Sequence, residues 1–435
     1  MPCRGIFPAF LFSGFSRPDG CLDLTGEQVA LSKKLGYDSR GSGETEGDFI
    51  EMAGRRNRLT ARKRRRRKLI MVIIELVILA FLAVVLFVTA KLNKLDFQSL
   101  NSDEVEEADL DEETAVTLTG YTDIAVFGLD NRSVNNYDTG NSDVIMIISI
   151  NNDTKEIKLI SVYRDTYLDV SSSDESADFE KVNSAYARGG AERAISVLNT
   201  SLDLDIDNYV AFDFAAVADA IDLLGGVEID IEEEEIEYLN KNIDTTAEVV
   251  GRSAEYITTS GTHTLDGVQA VAYARIRYTS GGDYKRAERQ RVVLEQLFEN
   301  AKDSDLKTLN ELVDTIFPEI QTDMDTSTIV TLASAVLDYD IDASYGFPFD
   351  RTTCTPSSSK GSCVIPCDLA SNVTMLHEIL YETEDYEPSL TVQEYSQQII
   401  METGLDADDA VDDDFSLEDG DDEEETGEDA DLTLE

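Results

Sequence analysis

Six basic residues, Arg275, Arg277, Lys285, Arg286, Arg289 and Arg291, fall within 17 consecutive positions of the sequence. They do so beyond Ala90, where 79 acidic residues face only 21 basic ones. A guanidinium is a planar, permanently charged fork of donors, suited to gripping phosphate oxygens in pairs. Arg275, Arg277 and Arg286 are therefore expected to bind phosphate. For Arg289 and Arg291 a structural ion pair is as good an account. Asp283, just ahead of Arg286, has a rival role as a helix N-cap. Three shorter segments add further charges: Asp130 and Arg132 follow one apolar run, Ser142 and Asp143 open the next, and Arg164 and Asp165 follow a third. Asp130 and Asp143 are either ordinary turn residues or, beside the arginines, ligands of a hard cation such as Mg2+ that bridges pyrophosphate oxygens.

The elements that must assemble these residues can be read around them. The runs TDIAVFGL (122–129), DVIMIISI (143–150) and EIKLISVY (156–163) are short, β-branched strands, the last two joined by the turn sequence NNDTK. If they are antiparallel neighbours, the end of the first, the start of the second and the end of the third share one sheet edge. Arg275 and Arg277 would share a face if their segment is a strand. Residues 192–204 and 211–224 read as helices, the second stopped by Gly225-Gly226 and followed by a strand. Residues 326–340 and 369–382 also look helical. Helices interleaved with strands indicate a layered α/β or α+β fold. On the helix after Gly282, Arg286 and Gln290 are i and i+4, and Val293, Leu294, Leu297 and Ala301 continue an apolar stripe. Cations at a helix start form an anion site. The stripe beyond is either plain core or the wall of a tunnel for a hydrocarbon chain.

The chain has 435 residues, 36 Lys+Arg against 88 Asp+Glu, and a formal charge of −52, which argues against nucleic acid as a partner. Two His and no Trp exclude a three-His metal centre. The apolar run at 69–90, broken only by Glu75, is expected to cross a membrane once. Ten basic residues lie between Arg55 and Lys68 and almost none just after the run, so the N-terminus is expected in the cytoplasm and the remainder outside. Residues 1–68 read as a basic tail, 91–120 as an acidic stalk, 121–400 as the exported domain, and 401–435 as a solvated acidic tail. Cys354, Cys363 and Cys367, close together among Pro, Ser and Gly, suit a small disulfide-closed loop.

Six segments occur in order: GLDNR (128–132), NSDVIMI (141–147), SVYRDT (161–166), KVNSAYARGG (181–190), LLGGV (223–227) and LDGVQAVAYARIR…GGDYKRAERQ (265–290). With them the chain resembles the LytR–CpsA–Psr family of bacterial cell-envelope proteins. The resemblance implies an α/β/α sandwich with a mixed central sheet behind a single membrane span. It implies a phosphotransferase that moves a glycopolymer from a polyprenyl-pyrophosphate carrier to a peptidoglycan hydroxyl, forming a phosphodiester. By the same resemblance Asp130 and Asp143 would hold Mg2+. Arg164, Arg275, Arg277, Arg286 and Gln290 would bind the pyrophosphate, Asp283 would support the arginine cluster, and Arg132 and Asp165 would belong to the site. Two positions depart from the family pattern: Asn141 stands where Arg is common and Tyr163 where Pro is common. The alternatives are a polyprenyl-pyrophosphate phosphatase, with water as acceptor, and an envelope scaffold or regulator that binds carrier lipid.

Overall fold

The computed structural model describes residues 70–101, 105–129, 137, 140–172, 176–277 and 282–411. Asp130, Arg132, residues 1–68 and residues 412–435 lie outside them.

Ile70–Leu92 is a single helix, α1, of 23 residues and hydropathy 3.2, with none of its apolar window buried. At 1.5 Å per residue it measures roughly 35 Å, long and apolar enough to cross a membrane.

The chain then runs β1 (Asp96–Phe97), α2 (Glu112–Leu118), β2 (Tyr121–Leu129), β3 (Ser142–Asn151), β4 (Glu156–Val162), β5 (Tyr167–Asp169), β6 (Phe179–Lys181), α3 (Asn183–Leu202), β7 (Asn208–Asp213), α4 (Phe214–Leu224), β8 (Val227–Ile231), α5 (Ile236–Val250), β9 (Gly261–Leu265) and α6 (Gly267–Ala274). It continues through α7 (Gly282–Lys302), α8 (Leu306–Ile316), β10 (Ile320–Thr322), α9 (Thr326–Ser334), β11 (Asp340–Phe347), β12 (Arg351–Cys354), β13 (Cys363–Pro366), α10 (Leu369–Tyr381) and α11 (Leu390–Thr403).

Seven strands form one mixed sheet in the order β1-β10-β7-β2-β3-β4-β11. The three strands expected to be antiparallel neighbours are so: β2 pairs β3 and β3 pairs β4. The hairpin between the latter two closes as its sequence dictates, with Asn151 Oδ1 accepting from the amides of Asp153 and Thr154 at 3.0 Å each. Alternate residues of β2 enter different cores. Ala125, Phe127 and Leu129 pack with α3, α10 and α11, while Ile124 and Val126 join a cluster reached by Leu294 and Phe298 of α7 and Leu332 of α9. Helices thus flank both faces, the layered arrangement that a sheet buried on both sides requires.

Several expectations are corrected. Residues 211–213 end a strand, because Asp213 caps α4 by accepting from the amides of Ala215 and Ala216. The helix expected over 326–340 stops at Ser334, and Asp340 already opens β11, which pairs in parallel with β4. Residues 91–120 are partly built into the fold: β1 adds a parallel edge strand beside β10, and Leu100, Val105 and Leu110 pack on the main core. At the other end the structure runs past position 400, with Val411 N–H bonded to Arg351 O at 3.0 Å. Cys354, Cys363 and Cys367 are free thiols. A four-pair antiparallel ladder between β12 and β13, with Cys354 opposite Cys363, closes that loop in place of a disulfide.

A candidate anion site beside an apolar cavity

The register between β2 and β3 slips at Gly128/Leu129, so that Val144 and Ser142 are paired and Asp143 is the extra residue between them. A bulge of this kind re-aims one side chain out of the ladder. The Asp143 carboxylate, 12% exposed, receives three guanidiniums from three separate segments: Arg164 Nη1 at 2.9 Å, Arg277 Nη2 at 3.2 Å and Arg286 Nη2 at 3.1 Å. Arg164 follows β4 in a turn tied down by Thr166 N–H to Tyr163 O (2.9 Å), Asn183 N–H to Arg164 O (3.1 Å) and Val364 N–H to Asp165 O (2.8 Å). Arg286 sits on the second turn of α7. Burial would raise the Asp143 pKa, but Arg286, Arg164 and Arg277 prevail and hold it below the usual carboxylate range. Burial, reinforced by Arg277 and Arg164, pulls Arg286 down to about 10 against the attraction of Asp143, so it stays charged at neutral pH.

Asp283 and Asp165 stand beside this hub. Asp283 Oδ1 lies 3.6 Å from Arg164 Nη2 and 3.8 Å from Arg286 Nη1. Asp165 Oδ2 is 3.7 Å from Arg164 Nη2, and its Oδ1 is 3.2 Å from Lys181 Nζ. Lys181 was not singled out by sequence; only its place in the KVNSAYARGG segment hinted at it. Three buried polar atoms here, Arg164 Nε, Arg286 Nε and Asp283 Oδ1, make no hydrogen bond. The two guanidinium Nε–H donors are groups that an incoming polyanion would complete, whereas Asp283 Oδ1 is an acceptor.

Arg275 does not share this cluster. The capping box of α6, formed by Asp266 and Gln269, fixes a helix through Ala274 with Arg275 as its C-cap, so Arg275 and Arg277 are not on a strand. Arg275 Nη1 donates to Thr246 Oγ1 at 2.9 Å and its Cζ lies 4.9 Å over the Phe214 ring. There it borders a cavity of about 190 Å3 walled by Val126, Met146, Phe212, Val293, Leu294 and Leu297. Gln290 borders both that cavity and the guanidinium pocket of Asp143, Arg164 and Arg286. Of the expected stripe, Val293, Leu294 and Leu297 face the cavity. Arg289 is structural: its Nε sits 2.7 Å from Glu235 Oε1, both side chains buried.

Among the described residues, no group of three or more His, Cys, Asp or Glu side chains is placed to hold a metal. The chemistry of Asp143 is nevertheless compatible with a hard cation, because it is held ionised and, among the described residues, its Oδ1 accepts one hydrogen bond, from Arg164, leaving a lone pair.

The sequence profile described as the LytR_cpsA_psr family matches residues 84–344, more than half of the chain. The chain belongs to the LytR–CpsA–Psr family. It is 29% identical over 203 residues to the polyisoprenyl-teichoic acid–peptidoglycan teichoic acid transferase TagU of Enterococcus faecalis, covering 46% of this chain and 61% of that protein. It is 32% identical over 202 residues to biofilm regulatory protein A of Streptococcus mutans, covering 43% and 46%. The match thus spans between about half and three fifths of these LytR–CpsA–Psr relatives. The crystal structure of protein gbs0355 from Streptococcus agalactiae superposes with a TM-score of 0.50 at 22% identity, covering 64% of this chain and 95% of that one. That likeness establishes the fold.

Proposed function

We propose that this chain is a membrane-anchored phosphotransferase that takes a glycopolymer from a polyprenyl-pyrophosphate carrier and joins it to a peptidoglycan hydroxyl. One observation carries the reading: three guanidiniums from distant segments meet at Asp143, and Gln290 connects their pocket to an apolar cavity. A ligand with a hydrocarbon tail and a diphosphate head has that shape and polarity. The name of the Enterococcus faecalis relative, a polyisoprenyl-teichoic acid–peptidoglycan teichoic acid transferase, supports the substrate class.

In the reaction an acceptor oxygen bonds to the phosphorus that bears the glycan, the anhydride bond breaks, and polyprenyl phosphate leaves with the electron pair. Arg164, Arg277 and Arg286 bind the two phosphates and offset the charge that gathers on their oxygens. Arg275 and Gln290 hold the diphosphate at the cavity mouth. The acceptor proton passes to a carboxylate of the site, for which Asp165 and Asp283 are at hand, or to solvent. Asp143, with Asp130, would hold a divalent cation such as Mg2+, which supplies further neutralisation of phosphate charge when bound. Arg132 completes the set as a further phosphate contact. The basic residues 55–68 ahead of α1 support a cytoplasmic N-terminus and an exported domain.

The test is the full chain in liposomes with a polyprenyl-pyrophosphate-linked saccharide and purified peptidoglycan. Mass spectrometry should find a saccharide phosphodiester on the glycan and released polyprenyl phosphate. Release of the saccharide phosphate into water with nothing joined would make the protein a phosphatase, and binding without turnover would make it a scaffold.

A further inference from the structure

A second opening borders Asp283, which the apolar cavity does not reach. It is a cleft of about 500 Å3 bordered by Asp165, Asp283, Tyr284, Arg351, Thr353 and Ser362. Gln290 borders the cavity and the guanidinium pocket, and Asp283 borders the guanidinium pocket and this cleft. Cavity, anion pocket and cleft therefore follow one another through shared walls. The volume falls within the range of small-ligand sites.

The lining of the cleft differs from that of the cavity. Tyr284, half-buried, offers aromatic surface, and its hydroxyl is 3.1 Å from Thr353 Oγ1. Arg351 Cζ lies 4.3 Å over the Tyr284 ring and 5.2 Å over Tyr163, while the two tyrosine rings meet edge-to-face at 4.8 Å. Around this platform stand two carboxylates and the hydroxyls of Thr353 and Ser362. An aromatic surface ringed by hydrogen-bonding groups suits a pyranose, which has an apolar C–H face and a hydroxyl rim. The β12–β13 hairpin that walls the cleft lies beyond residue 344, the last one matched by the family profile.

We infer that this cleft is a saccharide subsite that holds a pyranose against Tyr284 next to the phosphates. The inference rests on the proposed transferase reading for its place in the reaction, with the lipid tail on one side of the arginines and sugar on the other. The pyranose comes either from the donor, as the sugar attached to the diphosphate, or from the acceptor glycan.

The full chain in detergent micelles would be titrated with a β-1,4-linked N-acetylglucosamine tetramer, with bare polyprenyl pyrophosphate, and with the same carrier bearing one N-acetylglucosamine. Two variants are compared: Tyr284→Ala, which removes the platform, and Ser362→Trp, which fills the cleft from an exposed position away from the core. If the sugar is the acceptor, the tetramer binds and both variants weaken it by about tenfold or more, while bare carrier is held as before. If it is the donor's, the sugar-bearing carrier binds more tightly than the bare one, and that margin disappears in both variants. The proposal is overturned if neither saccharide ligand binds, or if both variants leave every affinity within about twofold of the parent. Failure of bare carrier to bind would sink the transferase reading, and the tetramer titration would still decide the cleft.

Discussion

Arg286 grips Asp143 twice, through the carboxylate at 3.1 Å and through the main-chain carbonyl at 3.3 Å, although the two residues are 143 positions apart. The guanidinium is 3% exposed, so this contact joins α7 to the bulge of β3 in a nearly dry setting where charge acts strongly. Asp143 is thereby an organiser of the cluster: it keeps three mutually repelling cations aimed at one point, and in the proposed reaction a diphosphate would replace it as their counter-charge. Arg164→Ala and Asp143→Ala should each lower transfer by about 100-fold or more while the chain stays folded. Turnover on the carrier-linked saccharide, alongside circular dichroism, checks this, and normal turnover in both variants would defeat the assignment.

The apolar cavity makes a prediction that depends on chain length. Leu297 lies two turns, roughly 10 Å, beyond Gln290 on α7 and borders the same cavity. Leu297→Trp should shorten the space, weakening a long polyprenyl pyrophosphate by about tenfold or more while a short prenyl pyrophosphate binds as before. Equal loss for both lengths would show that the tail lies elsewhere.

The buried Arg289–Glu235 pair holds α7 against the start of α5 and takes no part in the chemistry. Removing one partner strands a buried charge, so Glu235→Ala should cost about 3–5 kcal/mol, whereas replacing both with Leu and Met should cost far less. Urea unfolding of the single and double variants provides the comparison.

Gly267, the first residue of α6, lies so close to α4 that an added Cβ would stand 2.0 Å from Ala218 O. Main chain cannot yield as a side chain can, so Gly267→Ala should destabilise by roughly 1–3 kcal/mol or more and push α6 outward. Since Arg275 caps that helix, carrier binding should weaken as well. A variant with unchanged melting temperature and affinity would contradict this.

Asp123 is fully buried on β2, where it accepts a hydrogen bond from the Tyr381 hydroxyl, and burial pushes its pKa up to about 6. The unfolded chain ionises it near 3.8, so the folded state is penalised as pH rises from there to about 6. The loss amounts to about 3 kcal/mol and levels off above that range. Asp123→Asn should match the parent near pH 4 and melt higher at pH 7. Identical melting curves at pH 7 would show that the carboxyl ionises freely.

The core of the sheet could be read ahead of the structure because β2, β3 and β4 are dense β-branched runs, two of them joined by a five-residue turn. That topology alone brought Asp143, Arg164 and Asp165 to one edge. What escaped the sequence was non-local. No residue near Asp96 announces pairing with β10, more than two hundred positions away. The segment around Arg275 and Arg277 alternates as a strand does, yet the capping box at Asp266 commits it to a helix, and the two arginines part company. The β12–β13 hairpin has the Cys, Ser, Pro and Gly content of a loop, so nothing local marked it as the wall of a cleft. Lys181 carried no signal beyond its place in the KVNSAYARGG segment, because its partner Asp165 is met only once β6 folds back on β5.

Val411 borders the cleft proposed for a sugar, and its N–H donates to the carbonyl of Arg351, another residue of the cleft wall. The next three residues along the chain are Asp412, Asp413 and Asp414. Three residues of chain reach at most roughly 10 Å, so these carboxylates are held by covalent length alone close to the rim of the cleft proposed for a sugar. Dissolved salt, by shortening the reach of their field to roughly 10 Å at 0.1 M, would set how strongly an approaching polyanion feels them.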